Sequence, residues 1–306
     1  MGDGRGGGLR VLTAALLALA DLISRSSKYE AHGPMPRPES ARLVWSEEFG
    51  ERSLDQRHWS FETSHNKQGW FNGERQYYSA NRFQNLRLSD GRLIIQARTE
   101  KLSAAAYPDW GGQSYTSARI ISKPAWRYGF FEVRAKLPCA RGMWPAIWML
   151  PKNMQHWPDD GEIDIMEQVG AEPNIIYATL HSGRYNHTLG TQRGAHRAVP
   201  TSCTAFHRYQ LDWRPDSITI GIDDEAVLRV IRNATDGKPE WPFDRPFRMI
   251  LNLAVGGAWA GAKGIDDAAM PQRMEIDYVR VWQAPPRSRV SEQDAQSGEQ
   301  RGQDEN

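Results

Sequence analysis

The chain has little of what would assign it to several large classes of protein. Of its 306 residues, 38 are basic and 37 acidic, a net charge of +1. No charge excess therefore points to nucleic acid, whereas a neutral polysaccharide needs none. Cysteine is scarce. Cys139 and Cys203 lack metal-site spacing; they can pair in an exported protein, and sequence does not say whether their backbones come within reach. After the first twenty residues no apolar run is long enough to span a bilayer. There is no internal repeat, and no helical stretches separate the strand-like segments.

The N-terminus carries Arg5 and Arg10, then the short apolar segment from Leu9 to Ala20, which ends Ala18-Leu19-Ala20. This is the pattern of a secretory signal, so residues 1–20 are expected to direct the protein outside the cell or to the periplasm. Residues 21–41, polar and proline-containing, read as a linker. Residues 285–306, rich in Gln, Glu, Arg and Ser, read as a disordered tail. Between them, residues 42–284 alternate apolar and polar in short runs, among them Arg92–Ala97, Gly129–Leu137, Ile218–Ile222 and Met274–Trp282. The expectation is an all-β fold, an antiparallel sandwich.

The chemistry concentrates in Gly161-Glu162-Ile163-Asp164-Ile165-Met166-Glu167. On a strand Glu162 and Asp164 share one face and Ile163 and Ile165 the other. Strict alternation would bury Glu167, which is costly for an unpartnered carboxylate. One extra residue near Ile165–Met166, a β-bulge, would return Glu167 to the face of its two neighbours. Most acidic runs are solvated faces, and a calcium site is another reading. Three acids with no interleaved Lys or Arg, beside many aromatic residues, favour a reactive site.

Two carboxyl groups, one neutral and one charged, are what glycoside hydrolysis commonly needs, roughly 5–5.5 Å apart in retaining enzymes. Glu162 would be the nucleophile, Glu167 the general acid and then the base. Asp164 would hydrogen-bond one of them and help separate their pKa values; sequence does not say which. Upstream lie Trp144 and Trp148, four apart and so on one strand face, and Trp157. Rings of this kind stack on the apolar faces of sugars, although paired tryptophans are commonly core. The chain has 12 Trp and 10 Tyr, many beside polar turn residues, for which a ring-lined cleft is the simpler account. Asn72, within Trp70–Tyr78, can bond sugar hydroxyls. Arg119 can do the same or pair with a buried carboxylate, and both roles stay open. His181 ends an alternating strand and can reach the leaving-group side, although a lone strand-end histidine is more often structural.

Six segments in order, Tyr115–Ile120, Tyr128–Arg134, Gly142–Trp148, Gly161–Glu167, Asn252–Gly257 and Asp277–Trp282, resemble glycoside hydrolase family 16. Within it they are most similar to the laminarinase-like endo-β-1,3-glucanases, over residues 42 to 283. The resemblance implies a β-jelly-roll of two curved antiparallel sheets with a cleft across the concave face. It also implies a retaining double displacement on β-1,3-glucan by Glu162, Glu167 and Asp164, with no cofactor in the chemistry. A hydrolase of mixed-linkage glucan or an agarose-type galactan is an alternative, as is a non-catalytic β-glucan-binding protein. Members of the family often carry a structural calcium, and the matching positions here are Glu48, the carbonyl of Gly91, and Asp277. A monomer is expected. The segment Arg184–His187 is more basic and aromatic than a typical laminarinase loop.

Overall fold

The computed structural model describes residues 27–285. The expected signal segment, residues 1–20, and all but the first residue of the expected tail lie outside the described residues. Seventeen strands follow one another: β1 (Arg42–Glu47), β2 (Trp59–Phe61), β3 (Gln76–Tyr78), β4 (Leu86–Ser89), β5 (Arg92–Thr99), β6 (Tyr115–Ser117), β7 (Arg119–Ser122), β8 (Gly129–Lys136) and β9 (Met143–Pro151). The second half adds β10 (Glu162–Glu167), β11 (Ile175–His181), β12 (Arg193–Ala198), β13 (His207–Trp213), β14 (Ser217–Ile222), β15 (Glu225–Ile231), β16 (Phe247–Val255) and β17 (Gln272–Gln283).

They form two sheets. One runs β15-β14-β13-β8-β17-β5-β6-β3, with β1 beside β17 and β4 beside β5; the other runs β12-β11-β10-β9-β16-β7-β2. All pairings are antiparallel except β3 with β6. The expected all-β jelly roll is therefore the fold. Neighbours such as β9 and β16 are far apart in sequence, so the core is closed by non-local pairing.

The alternation seen in the sequence becomes the core. Ile147 and Met149 of β9, Ile163 and Ile165 of β10, and Leu251 and Leu253 of β16 turn inward against Phe131 and Val133 of β8 and Leu211 of β13. Burying each such side chain stabilises the fold by ~1.5–3 kcal/mol. Cys139 and Cys203 form a disulfide with a Cα–Cα distance of 5.8 Å.

The expected linker differs from the reading in its described part. Residues 30–35 run along the edge of β15, where the Ala31 N–H donates to Val227 O and the Ala226 N–H to Gly33 O. Met35 is buried beside Phe130, Ala226 and Trp282. Backbone pairing at an open sheet edge overrides the polar, proline-containing composition here.

Candidate active site

On β10, Asp164 stands opposite Trp148 of β9 and Thr179 of β11, and Glu167 opposite Ala146 and Tyr177. Three steps along β10 thus match two along each neighbour, which is one extra residue, the bulge that the acidic pattern requires. Glu167 returns to the face of Glu162 and Asp164, while Ile163, Ile165 and Met166 are all buried in the core. At the strand's start Gly161 has φ +93°, and a Cβ there would lie 2.8 Å from Pro242 Cγ. Only glycine enters the strand this way.

Each acid has its own surroundings. Glu162 accepts the indole N–H of Trp157 at 2.6 Å. It also hydrogen-bonds Asp164, and the charge of Arg119 faces it. Burial raises its pKa, and these three contacts oppose the rise. Asp164 is 3% exposed. Burial first, then the charges of Glu162 and Glu167, push its pKa well above the carboxylate range, so it is the proton donor to Glu162. Glu167 accepts the indole N–H of Trp144 at 3.0 Å. Burial and the charge of Glu162 nevertheless raise its pKa to about 8, with Glu74 adding to the rise. At neutral pH the row therefore holds a protonated Glu167 beside a Glu162 whose ionised form is supplied with donors. One face of one strand offers a proton and a nucleophile.

Trp157 is positioned by the turn before β10. The buried Asp160 carboxylate accepts the N–H groups of Gln155 and His156 at 2.8 and 3.0 Å and pairs with Arg245 at 2.8 Å. Burial disfavours its charge, but those backbone donors and Lys238 and Arg245 hold it far below the usual range.

The other residues expected at the site gather around the row. Trp144 and Trp148 share the face of β9 that looks onto the acids, as their spacing required. Both are half-buried with their N–H groups committed, Trp148 to Asn252 Oδ1 at 2.7 Å. Arg119 lies between the rings of Trp70 and Trp148, 5.0 and 4.8 Å from their centroids. Its charge favours the ionised forms of both Glu74 and Glu162, while its Nε is buried without a hydrogen-bond partner. Asn72 is exposed at φ +58° and bonds Glu74 through its side chain. His181 stands opposite Glu162 at the end of β11, with Nε2 at 3.4 Å from Asp164 Oδ2. Burial and the neighbouring His187 lower its pKa to about 3, so it is a neutral imidazole.

Glu48 and Asp277 do not form the expected calcium set. Arg280 grips Glu48 at 2.8 and 2.9 Å, and Arg134 holds Asp277 at 2.5 Å. Calcium takes six to eight oxygen ligands. Two guanidinium groups on the only carboxylates proposed, with the Gly91 carbonyl as third ligand, leave neither the oxygens nor the field that such an ion needs.

Several residues at the site went unread as such. Glu74, the fourth carboxylate, accepts from Gln76 at 2.8 Å and has its pKa raised by burial. Gly257 lies beside it at φ +84°, where a Cβ would stand 3.1 Å from the Asn72 carbonyl oxygen. Trp259 meets Trp144 edge-on at 5.4 Å, and His187 lies 4.9 Å from the Trp157 ring. Glu74 was visible within Trp70–Tyr78, and His187 within the unusual loop. Trp259 carried no signal, because it lies some ninety residues from β10 in the chain.

The family model for glycosyl hydrolases family 16 matches residues 66–280. A protein of Rhodothermus marinus named beta-glucanase is 46% identical over 251 residues, covering 78% of this chain and 84% of its own. A glucan endo-1,3-beta-glucosidase of Cryptopygus antarcticus is 40% identical over 252 residues, 78% of this chain and 91% of that one. Among solved structures, a non-specific endo-β-1,3(4)-glucanase of family GH16 superposes with a TM-score of 0.82. It has 43% identity and covers 85% of this chain and 98% of that one.

Proposed function

The chain belongs to glycosyl hydrolases family 16 and is a glycoside hydrolase; on that premise we propose that it is a retaining endo-β-1,3-glucanase. The observation that carries the chemistry is the bulged strand that presents Glu162, Asp164 and Glu167 together, with burial raising the pKa of each and with more donors set against the rise at Glu162 than at Glu167. Glu167 protonates the glycosidic oxygen while Glu162 attacks the anomeric carbon and forms a glycosyl-enzyme intermediate. Asp164 donates to Glu162 and steadies its charge before attack. Glu167, now ionised, takes a proton from water, and that water releases the sugar. Arg119, Trp148 and Asn252 hold the floor of the site, and Asn72, Trp144 and the open face of Trp157 meet the polymer. None of these steps calls on a cofactor.

The substrate rests on the relatives, two of which are named for β-glucan and β-1,3-glucan hydrolysis. The non-specific solved neighbour supports mixed-linkage glucan as a second substrate. Export and action outside the cell rest on the N-terminal pattern and fit the Cys139–Cys203 disulfide, which persists in oxidising compartments. The test is release of reducing sugar from laminarin, mixed-linkage glucan and agarose, with the anomer of the first product followed by NMR. Release of β-anomer from laminarin, lost in Glu162→Gln with binding kept, supports the reading. First release of α-anomer overturns retention, and binding without release from any polymer makes the protein a glucan-binding one.

A further inference from the structure

The nucleophile and its helper Asp164 form a cluster with His181, a residue to which the proposed hydrolysis gives no role. A Glu162 carboxylate oxygen, an Asp164 oxygen and a His181 ring nitrogen lie within 4.8 Å of one another. Asp164 and His181 are 3% and 6% exposed. Asp164 Oδ2 has no hydrogen-bond partner although it is buried, and it faces His181 Nε2 at 3.4 Å. His181 Nδ1 is also without a partner. An orphaned buried carboxylate oxygen aimed at an imidazole nitrogen has donor atoms to spare.

The separation has a meaning. Two ligands each ~2.1 Å from a four-coordinate zinc stand about 3.4 Å apart, the edge of the tetrahedron. One imidazole with two carboxylates suits zinc or copper, whereas magnesium and calcium want more oxygens. Glu162 remains partly open to the cleft, which leaves the fourth position to water.

We infer that Glu162, Asp164 and His181 form an inhibitory zinc site. Zinc displaces the Asp164 proton to solvent, breaking its hydrogen bond to Glu162, and takes a lone pair from each carboxylate and from His181, so no glycosyl bond forms while it is bound, and metal and glucan compete for one place. A zinc-rich medium thus silences the enzyme reversibly, by occupancy and not by unfolding.

Isothermal titration of the full chain with zinc chloride tests this. The expected result is one zinc per chain, with laminarin weakening the binding. His181→Gln should weaken it by at least ~10-fold, since even outer-sphere partners of a metal ligand are worth that much. Calcium and magnesium chloride should give no saturable heat. Cobalt(II) chloride added to the unmutated protein should give the intense visible band of four-coordinate cobalt, a readout that stands even where the variant does not fold. Zinc that binds His181→Gln as tightly, or is indifferent to laminarin, or gives only the weak band of six-coordinate cobalt in its place, overturns the site, as does no stoichiometric binding.

Discussion

Trp157 donates its indole N–H to Glu162 across 2.6 Å, although the ring belongs to the turn before β10 and not to the strand itself. The bond ties the charge of Glu162 to the geometry of residues 155–160, which Asp160 holds in place through backbone donors and Arg245. The electrostatics of the acidic row are therefore set partly by a loop.

Trp157→Phe removes that donor and keeps the ring. A hydrogen bond to a charged group contributes ~1.5–3 kcal/mol, so kcat/KM should fall roughly 10- to 100-fold. Because the donor lowers the pKa of Glu162, its loss moves the acid limb of the pH–rate profile upward. An unmoved acid limb would separate Trp157 from the nucleophile.

Glu167 must be protonated to act as the acid, and its pKa is raised to about 8 by burial, Glu162 and Glu74. Activity should therefore fall as pH rises through about 8. Glu74→Gln removes one charge that raises this pKa, so the basic limb should move to lower pH with the protein still folded. A pH–kcat/KM series on both proteins measures the shift.

Asp164 is held protonated in the folded state, whereas an unfolded Asp ionises near pH ~3.9. A folded pKa raised above the unfolded one weakens the fold as pH climbs past the unfolded value, because the unfolded chain sheds the proton first. Asp164→Asn should thus raise Tm at pH 7 while lowering kcat, and the gain in Tm should vanish at pH 3. Thermal unfolding at the two pH values decides it; equal gains at both would refute the assignment of the proton.

Reducing the Cys139–Cys203 bond opens a loop of sequence separation 64. The chain-entropy relation gives ~4 kcal/mol for a loop of that size. The double substitution to Ser should lower the denaturant midpoint accordingly, with the slope of the transition little changed.

Glu48 and Asp277 already have arginine partners, so a chelator should leave Tm unchanged. A marked drop in Tm with EDTA, restored by calcium, would show that the ion displaces Arg280 and Arg134.

The local pattern alone determined much of this protein. Alternation in Gly129–Lys136 and Met274–Trp282 required strands, and the misplaced Glu167 required a bulge, because a buried unpaired charge costs more than an irregular strand. The order of six motifs carried the family and the acidic row. Only the tertiary structure decided which acid keeps its proton, since burial and the distances to Trp157, Trp144, Glu74 and Arg119 come from segments far apart in the chain. It alone brought Trp259 to Trp144, laid residues 30–35 on the edge of β15, and gave the expected calcium ligands to arginines. Spacing along a strand is written into a sequence, whereas the field at a carboxylate depends on what the fold packs around it.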